Sequence, residues 1–160
     1  MAYVTYSEYQ ALYGADTMPE SAFNLIAFDA ERAVDIHTTG IDNVRKLETA
    51  FPTDEKDAEI VKRCILNLIE DFRILNEMEK ATQAGMEDGT FHLGAVASVS
   101  SGSESISYDN SANGRSALAQ CVGDAGNRAK YVKDVIFRYL SGVTDKNGVN
   151  LLYMGRYPRV

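Results

Sequence analysis

Asp and Glu together number 23 in this 160-residue chain, and they are its most plentiful candidates for chemistry. Glu70, Asp71, Glu77 and Glu79 fall along one predicted helix, with Glu87 and Asp88 just beyond it. Two carboxylates held close together can divide general-acid and general-base work, so the spacing leaves a paired-acid site open. The same residues suit a solvated helix face or, in a ring-shaped assembly, an acidic wall facing the lumen. The two histidines, His37 and His92, match no metal-ligand spacing such as His-Glu-x-x-His and read as surface or helix-end residues. Ser101-Gly102-Ser103 reads as a turn, because no Gly-x-Ser-x-Gly elbow, phosphate loop or nearby base accompanies it. Cys64 and Cys121 each lie on an apolar stripe and read as small buried hydrophobes rather than disulfide partners. The expectation is a non-enzyme with no catalytic residues, no metal and no cofactor.

Composition narrows the partners. A net charge of -7 argues against a protein that clamps nucleic acid by its phosphates, since such binding rests on clustered Lys and Arg. It is compatible with a surface that DNA slides past without sticking. The start of the sequence lacks the basic and apolar regions of a secretory signal, and no apolar run approaches membrane-spanning length. The reading is a cytosolic product with no membrane partner. At 45% hydrophobic residues the chain can bury a core as one domain.

The elements that position these residues are punctuated clearly. Thr5-Tyr6-Ser7-Glu8 is a capping box for a short helix ending at Gly14. Thr17-Met18-Pro19-Glu20 repeats the signal for a helix running to about Thr38 and stopping at Gly40, with Phe23, Ile26, Ala30, Ala33 and Val34 inward. Residues 41–52 are mixed. Thr53 is expected to cap the strongest helix, with Asp54, Glu55 and Asp57 at its positive dipole end. Val61, Cys64, Ile65, Leu68, Phe72 and Leu75 form its stripe, widened by Leu66, Ile69 and Ile74, so it should be central and reach Ala84. A last stripe runs from Leu118 through Val132 and Ile136 to Leu140, with Gly123 and Gly126 as a close crossing or a break. Gly142 stops it, and Asp145-Lys146-Asn147-Gly148 is a turn. The fold class is mainly α: a small helical bundle over residues 1–142 with an inserted Ser-rich β-hairpin-like loop at about 86–112, and an extended C-terminal tail at 143–160.

Two segments are left without an obvious place in a bundle. The first is the Ser-rich loop, whose second arm alternates polar and apolar residues as strands do. A lone hairpin is marginal in water, so the segment either stays loose or finds its partner on another chain, which makes Val96, Val99, Ser101, Gly102, Glu104, Ile106 and Tyr108 candidates for contact with a neighbouring subunit. The second is the tail. Leu151, Leu152, Tyr153 and Met154, followed by Arg156, Tyr157 and Arg159, combine apolar surface with residue types favoured at interfaces. The tail either folds back on its own helices or docks on another chain.

The order of these pieces is distinctive: a short Tyr- and Glu-bearing helix, an acid-capped central helix, and a Ser/Gly hairpin. A helix ending Arg138-Tyr139-Leu140-Ser141-Gly142 and a Leu-Leu-Tyr-x-Gly tail follow. With Val99 to Tyr108 and Leu151 to Arg156 as its most specific stretches, nearly the whole chain resembles the head-to-tail connector (adaptor, or head completion) proteins of tailed bacteriophages. The resemblance implies a structural virion protein, made in the host cytoplasm and resident in the virion neck. Such subunits form a ring, a dodecamer by analogy, that binds the portal protein and extends the DNA channel. The ring is a platform for the next neck or tail component, and DNA passes through it without sequence-specific binding. It further implies that the tail docks on the portal and that the Ser-rich loop lies at subunit contacts or toward the channel; if such a ring forms, Glu70, Asp71, Glu77 and Glu79 are the candidate channel-facing acids. Two other readings stay open. Another phage assembly protein, such as a small terminase subunit or a tail-completion protein, fits the size, although a terminase subunit should carry a basic DNA-reading helix. A carboxylate-dependent hydrolase is the third.

Overall fold

A computed structural model of the chain describes residues 2–84, 98–101, 104–107 and 117–158. It is mainly helical, as expected, with five α-helices among the described residues: α1 (Tyr6–Tyr13), α2 (Glu20–Thr38), α3 (Lys46–Thr49), α4 (Glu55–Ala84) and α5 (Ala125–Leu140). The chain divides into two compact units, Met1–Phe72 with Val132–Val160, and Arg73–Tyr131.

The first unit is closed by both ends of the sequence. α1 begins as its capping box dictates: the Glu8 amide donates to Thr5 Oγ1 at 3.2 Å, and the Thr5 amide donates back to Glu8 Oε2 at 2.8 Å. It stops at Gly14, whose φ of 101° disfavours any side chain. The second capping signal behaves differently. Thr17 donates its hydroxyl to the carbonyls of Tyr13 and Gly14, finishing α1, and α2 starts at Glu20 with Pro19 at the N-cap position and no side-chain cap. α4 starts one residue later than expected, because Asp54 and not Thr53 accepts the amides of Lys56 and Asp57. Within this unit α4 buries Val61, Cys64, Ile65, Leu66, Leu68, Ile69 and Phe72, apolar around most of its circumference, so it is the central element of the core. α2 presents Phe23, Ala27, Ala30 and Val34 to that core; α5 presents Val132, Val135, Ile136 and Leu140. Tyr9 is fully buried, packs its ring 5.5 Å from that of Phe23, and donates its hydroxyl to Glu70 at 2.6 Å.

The second unit contains the end of α4, a 3-10 turn at Ala119–Cys121 and the start of α5. Of the two roles open to Gly123 and Gly126, a close crossing or a break, the structure shows the break: the stripe from Leu118 is interrupted. Gly123 takes a φ of 72°, and Asp124 caps a helix that starts afresh at Ala125, accepting the Asn127 amide at 2.9 Å. Cys121 is buried and donates to the Ala117 carbonyl at 3.2 Å; Leu75 is fully buried. β1 (Ser98–Ser101) pairs antiparallel with β2 (Glu104–Ser107), with Val99 opposite Ile106.

Candidate functional site

The richest constellation of polar groups forms around Lys46, in the first turn of α3. This lysine is completely buried. Its ammonium donates to the backbone carbonyls of Leu151 at 2.9 Å, of Asn150 at 3.3 Å, and of Tyr153, and it lies 5.8 Å from the centre of the Tyr153 ring. Burial pulls the Lys46 pKa below its ordinary value, while the charges of Asp145 and Asp42 pull it up. One cation thus gathers the carbonyls of a turn more than a hundred residues away.

The surrounding contacts make that turn rigid. Asp145 accepts the amides of Asn147 and Val149 through Oδ1, and Gly148 (φ 76°) completes the predicted turn. Thr144 and Asn150 form a β-bridge, and Leu151 donates its amide to the Val143 carbonyl at 3.0 Å. Asp57 accepts both the amide and the hydroxyl of Thr144. Farther along, the Ile41 amide donates to Met154 O at 3.0 Å, and the Tyr157 amide to Asp42 Oδ2 at 2.7 Å. That last bond is the main reason the Asp42 carboxyl sits below its usual range. Tyr157 donates its hydroxyl to Asp145 and accepts from Asn147 at 2.7 Å. Gly40 is required here by proximity: a Cβ on it would lie 2.5 Å from the Gly155 carbonyl oxygen.

The fate of the tail residues is therefore mixed. Leu151 is fully buried in its own unit and Leu152 is half-buried, so of the two dispositions open to the tail this part of it is folded back. Tyr153 and Met154 stay 48% and 46% exposed and Arg156 is exposed, on a backbone that is fixed from below. Tyr157 is half-buried and committed to Asp145; Arg159 lies outside the described residues.

The four acids are likewise separated by role. Asp71 is buried and accepts from Asn67 at 2.8 Å, and half-buried Glu70 accepts the Tyr9 hydroxyl, so both carboxylates are engaged within the chain. The reason is local: both lie on the part of α4 that is apolar nearly all round, where a carboxylate must find a donor. Glu77 pairs with Arg73 at 2.6 Å and Glu79 with Arg128 at 3.5 Å. Of the loop residues, Val99, Ser101, Glu104 and Ile106 lie in the two paired strands; Val96, Gly102, Tyr108 and also His92 lie outside the described residues. Cys64 is buried, its thiol pKa pushed up to about 12 by burial, which makes it inert. Burial and nearby Lys133 lower the pKa of His37, and among the described residues no group of His, Cys, Asp and Glu could hold a metal ion.

Two features went unnoticed in the sequence. A cleft of about 700 Å³ runs beside α2, lined by Tyr3, Phe28, Glu31, Arg32, Asp35, Ile36 and Glu48 among others. Burial raises the carboxyl pKa of Glu31 and of Asp35, the kind of perturbation that accompanies acid–base chemistry. Both groups are already engaged: Glu31 accepts the amide of Tyr3 at 2.7 Å, and Asp35 accepts the Tyr3 hydroxyl at 2.9 Å. They fasten the N-terminal segment. The second feature is the face of α2 opposite its core stripe. Leu25, Phe28 and Ile36 are 75%, 65% and 58% exposed there, and Ile41 just beyond the helix is 72% exposed. Single exposed hydrophobes need no explanation, but several on one face mark a contact surface. Plotting α2 at 100° per residue would have revealed the stripe from sequence.

Set against protein-family models, curated proteins and solved structures, the chain matches none of them. Among the described residues no helix is long and apolar enough to cross a membrane.

Proposed function

We propose that this chain is a structural virion protein, a ring-forming head-to-tail adaptor that binds the portal, extends the DNA channel and receives the next neck or tail component. It performs no catalytic step. The observation that carries this reading is the mounted tail: Tyr153, Met154 and Arg156 are exposed on a backbone immobilised by Lys46, Asp42 and the Ile41 amide. Ordering an interface before contact reduces the entropy lost on binding, which suits a piece that must seat on a large preformed partner. Tyr and Arg are enriched among residues that dominate binding energy. In this reading residues 143–160 act as the docking element, with the described part, 143–158, packed on its own unit, and the insertion at about 86–112 is a hairpin ordered by the neighbouring subunit in the ring. Charge supports it too: at -7 the chain suits a conduit that does not retain DNA.

The test is size-exclusion chromatography with light scattering on the protein mixed with its portal at micromolar concentration. Co-elution of a ring-sized complex is expected, abolished by Y153A/M154A without loss of helicity. Absence of co-elution, or co-elution indifferent to that double substitution, refutes the docking role. Tight DNA binding in a low-salt gel shift would point to the terminase reading instead.

A further inference from the structure

The outer stripe of α2 has an order that a generic apolar patch lacks. Leu25, Asp29, Arg32 and Ile36 follow one another at intervals of four, three and four residues. At 3.6 residues per turn these four side chains share one side of the helix, with Phe28 at its edge and the core stripe of Phe23, Ala27, Ala30 and Val34 on the opposite side. All four are exposed. Among the described residues neither Asp29 nor Arg32 has an ion-pair partner. The sequence of chemistries is apolar, acid, base, apolar, and its spacing is symmetric about the midpoint between Ala30 and Glu31.

We infer that α2 packs antiparallel against α2 of a second copy of this chain, across a two-fold axis passing that midpoint. A two-fold interface uses the same patch on both partners, so the patch must complement itself when reversed. This one does. Reversal places Leu25 opposite Ile36 of the other copy and brings Asp29 within reach of its Arg32, twice by symmetry. Parallel pairing in register would instead set Asp29 against Asp29 and Arg32 against Arg32, which is repulsive. Helices packed at the usual 8–10 Å separation would cover Leu25 and Ile36 from both copies, with the Phe28 rings flanking the row. The apolar ends contribute the attraction, and the exposed ion pairs set direction and register more than strength. An unrelated apolar partner would explain the exposed leucine, phenylalanine and isoleucine, but not the reversed charges between them. The pairing stands apart from the adaptor reading: it uses neither the tail nor the Ser-rich insertion, and it concerns the free protein without a portal.

Sedimentation velocity of the full chain from about 1 to 100 µM tests it. The wild type should show a concentration-dependent dimer. D29R puts two bases in each stripe and R32D puts two acids, so each alone should weaken self-association by about tenfold or more. The doubly swapped D29R/R32D restores the pattern in the opposite order and should recover the dimer. An equimolar mixture of D29R and R32D should form a mixed dimer that neither forms alone. All the changed side chains are exposed, so circular dichroism should report an unaltered helical fold; I36S offers a second, uncharged way to weaken the same contact. A wild type that stays monomeric throughout, an assembly of any size insensitive to both single reversals, or a failure of the double swap to restore association overturns the inference.

Discussion

Replacing Lys46 by methionine keeps nearly all of the side chain's volume and removes its charge and donors. Three carbonyls lose the ammonium: those of Asn150, Leu151 and Tyr153. Asn150 is exposed, so water can replace its bond, whereas Leu151 is fully buried and its carbonyl is left dry. An unsatisfied buried acceptor costs about 1–3 kcal/mol, and a bond to a charged donor contributes about 1.5–3 kcal/mol. Against this, methionine carries no buried charge, and burial already disfavours the ammonium, as its lowered pKa direction records. The balance is a loss of about 3 kcal/mol, which in a chain of this length lowers Tm by about 10 °C. The effect should be local first. Amide hydrogen exchange at Ile41 and Leu151, whose donors bond Met154 and Val143, should accelerate well before exchange in α4 does. Thermal scanning and exchange on K46M against wild type check this. A Tm within about 2 °C of wild type, with Leu151 equally protected, would show that the ammonium is a passenger and the tail is held by packing alone.

The two glycines at the tail contact should respond unequally. G40A drives a methyl group into the Gly155 carbonyl oxygen and should cost about 1–3 kcal/mol in denaturant melts, whereas G155A meets only the tip of the half-exposed Tyr153 ring, which can swing aside, and should cost far less. The cleft acids give a pH signature. Asp35 and Glu31 have folded pKa values raised above their ordinary 3.8 and 4.5, so they favour the folded state fully below those values, and that stability is lost as pH rises through the folded values. The stability of wild type relative to D35N should therefore increase on acidification from neutral pH towards about pH 4; a difference independent of pH, or one of opposite sign, contradicts the assignment. Deleting residues 98–107 should preserve the helical circular dichroism signal yet impair neck assembly, and normal necks from the truncated protein would reduce the insertion to a linker.

Local backbone signals were the most legible part of the chain. Thr5 with Glu8, Gly14, Gly142 and the Asp145–Gly148 turn act through bonds within a few residues of themselves, so their spacing states the geometry. Errors arose where two local partners compete. Thr53 and Asp54 can both cap α4, and the carboxylate adjacent to the helix wins. Thr17 can serve the helix before it or the helix after it, and it serves the one before. Lys46 was illegible for a different reason: its acceptors are backbone carbonyls, which carry no residue identity. Nothing in the composition of residues 150–153 announces that they face a cation. The tail's dual character follows from this. Its apolar residues were visible, but which of them point inward is settled by contacts with Lys46, Asp42 and Gly40 that span the sequence.

The separation between Lys46 and its acceptors has a temporal meaning. During synthesis Leu151 is added 105 residues after Lys46, on the order of 5–20 s later at typical elongation rates. Throughout that interval Lys46 lacks the carbonyls that accept its hydrogen bonds in the finished unit, and that unit cannot close. Closing it requires bringing together segments from opposite ends of the chain, the kind of non-local pairing that slows folding. A nascent chain therefore cannot complete this unit until residues 143–158 have been made and have packed around Lys46. The residues that mount Tyr153 and Met154 on the surface thus also complete the fold, so a chain terminated before them lacks both the finished unit and that exposed pair.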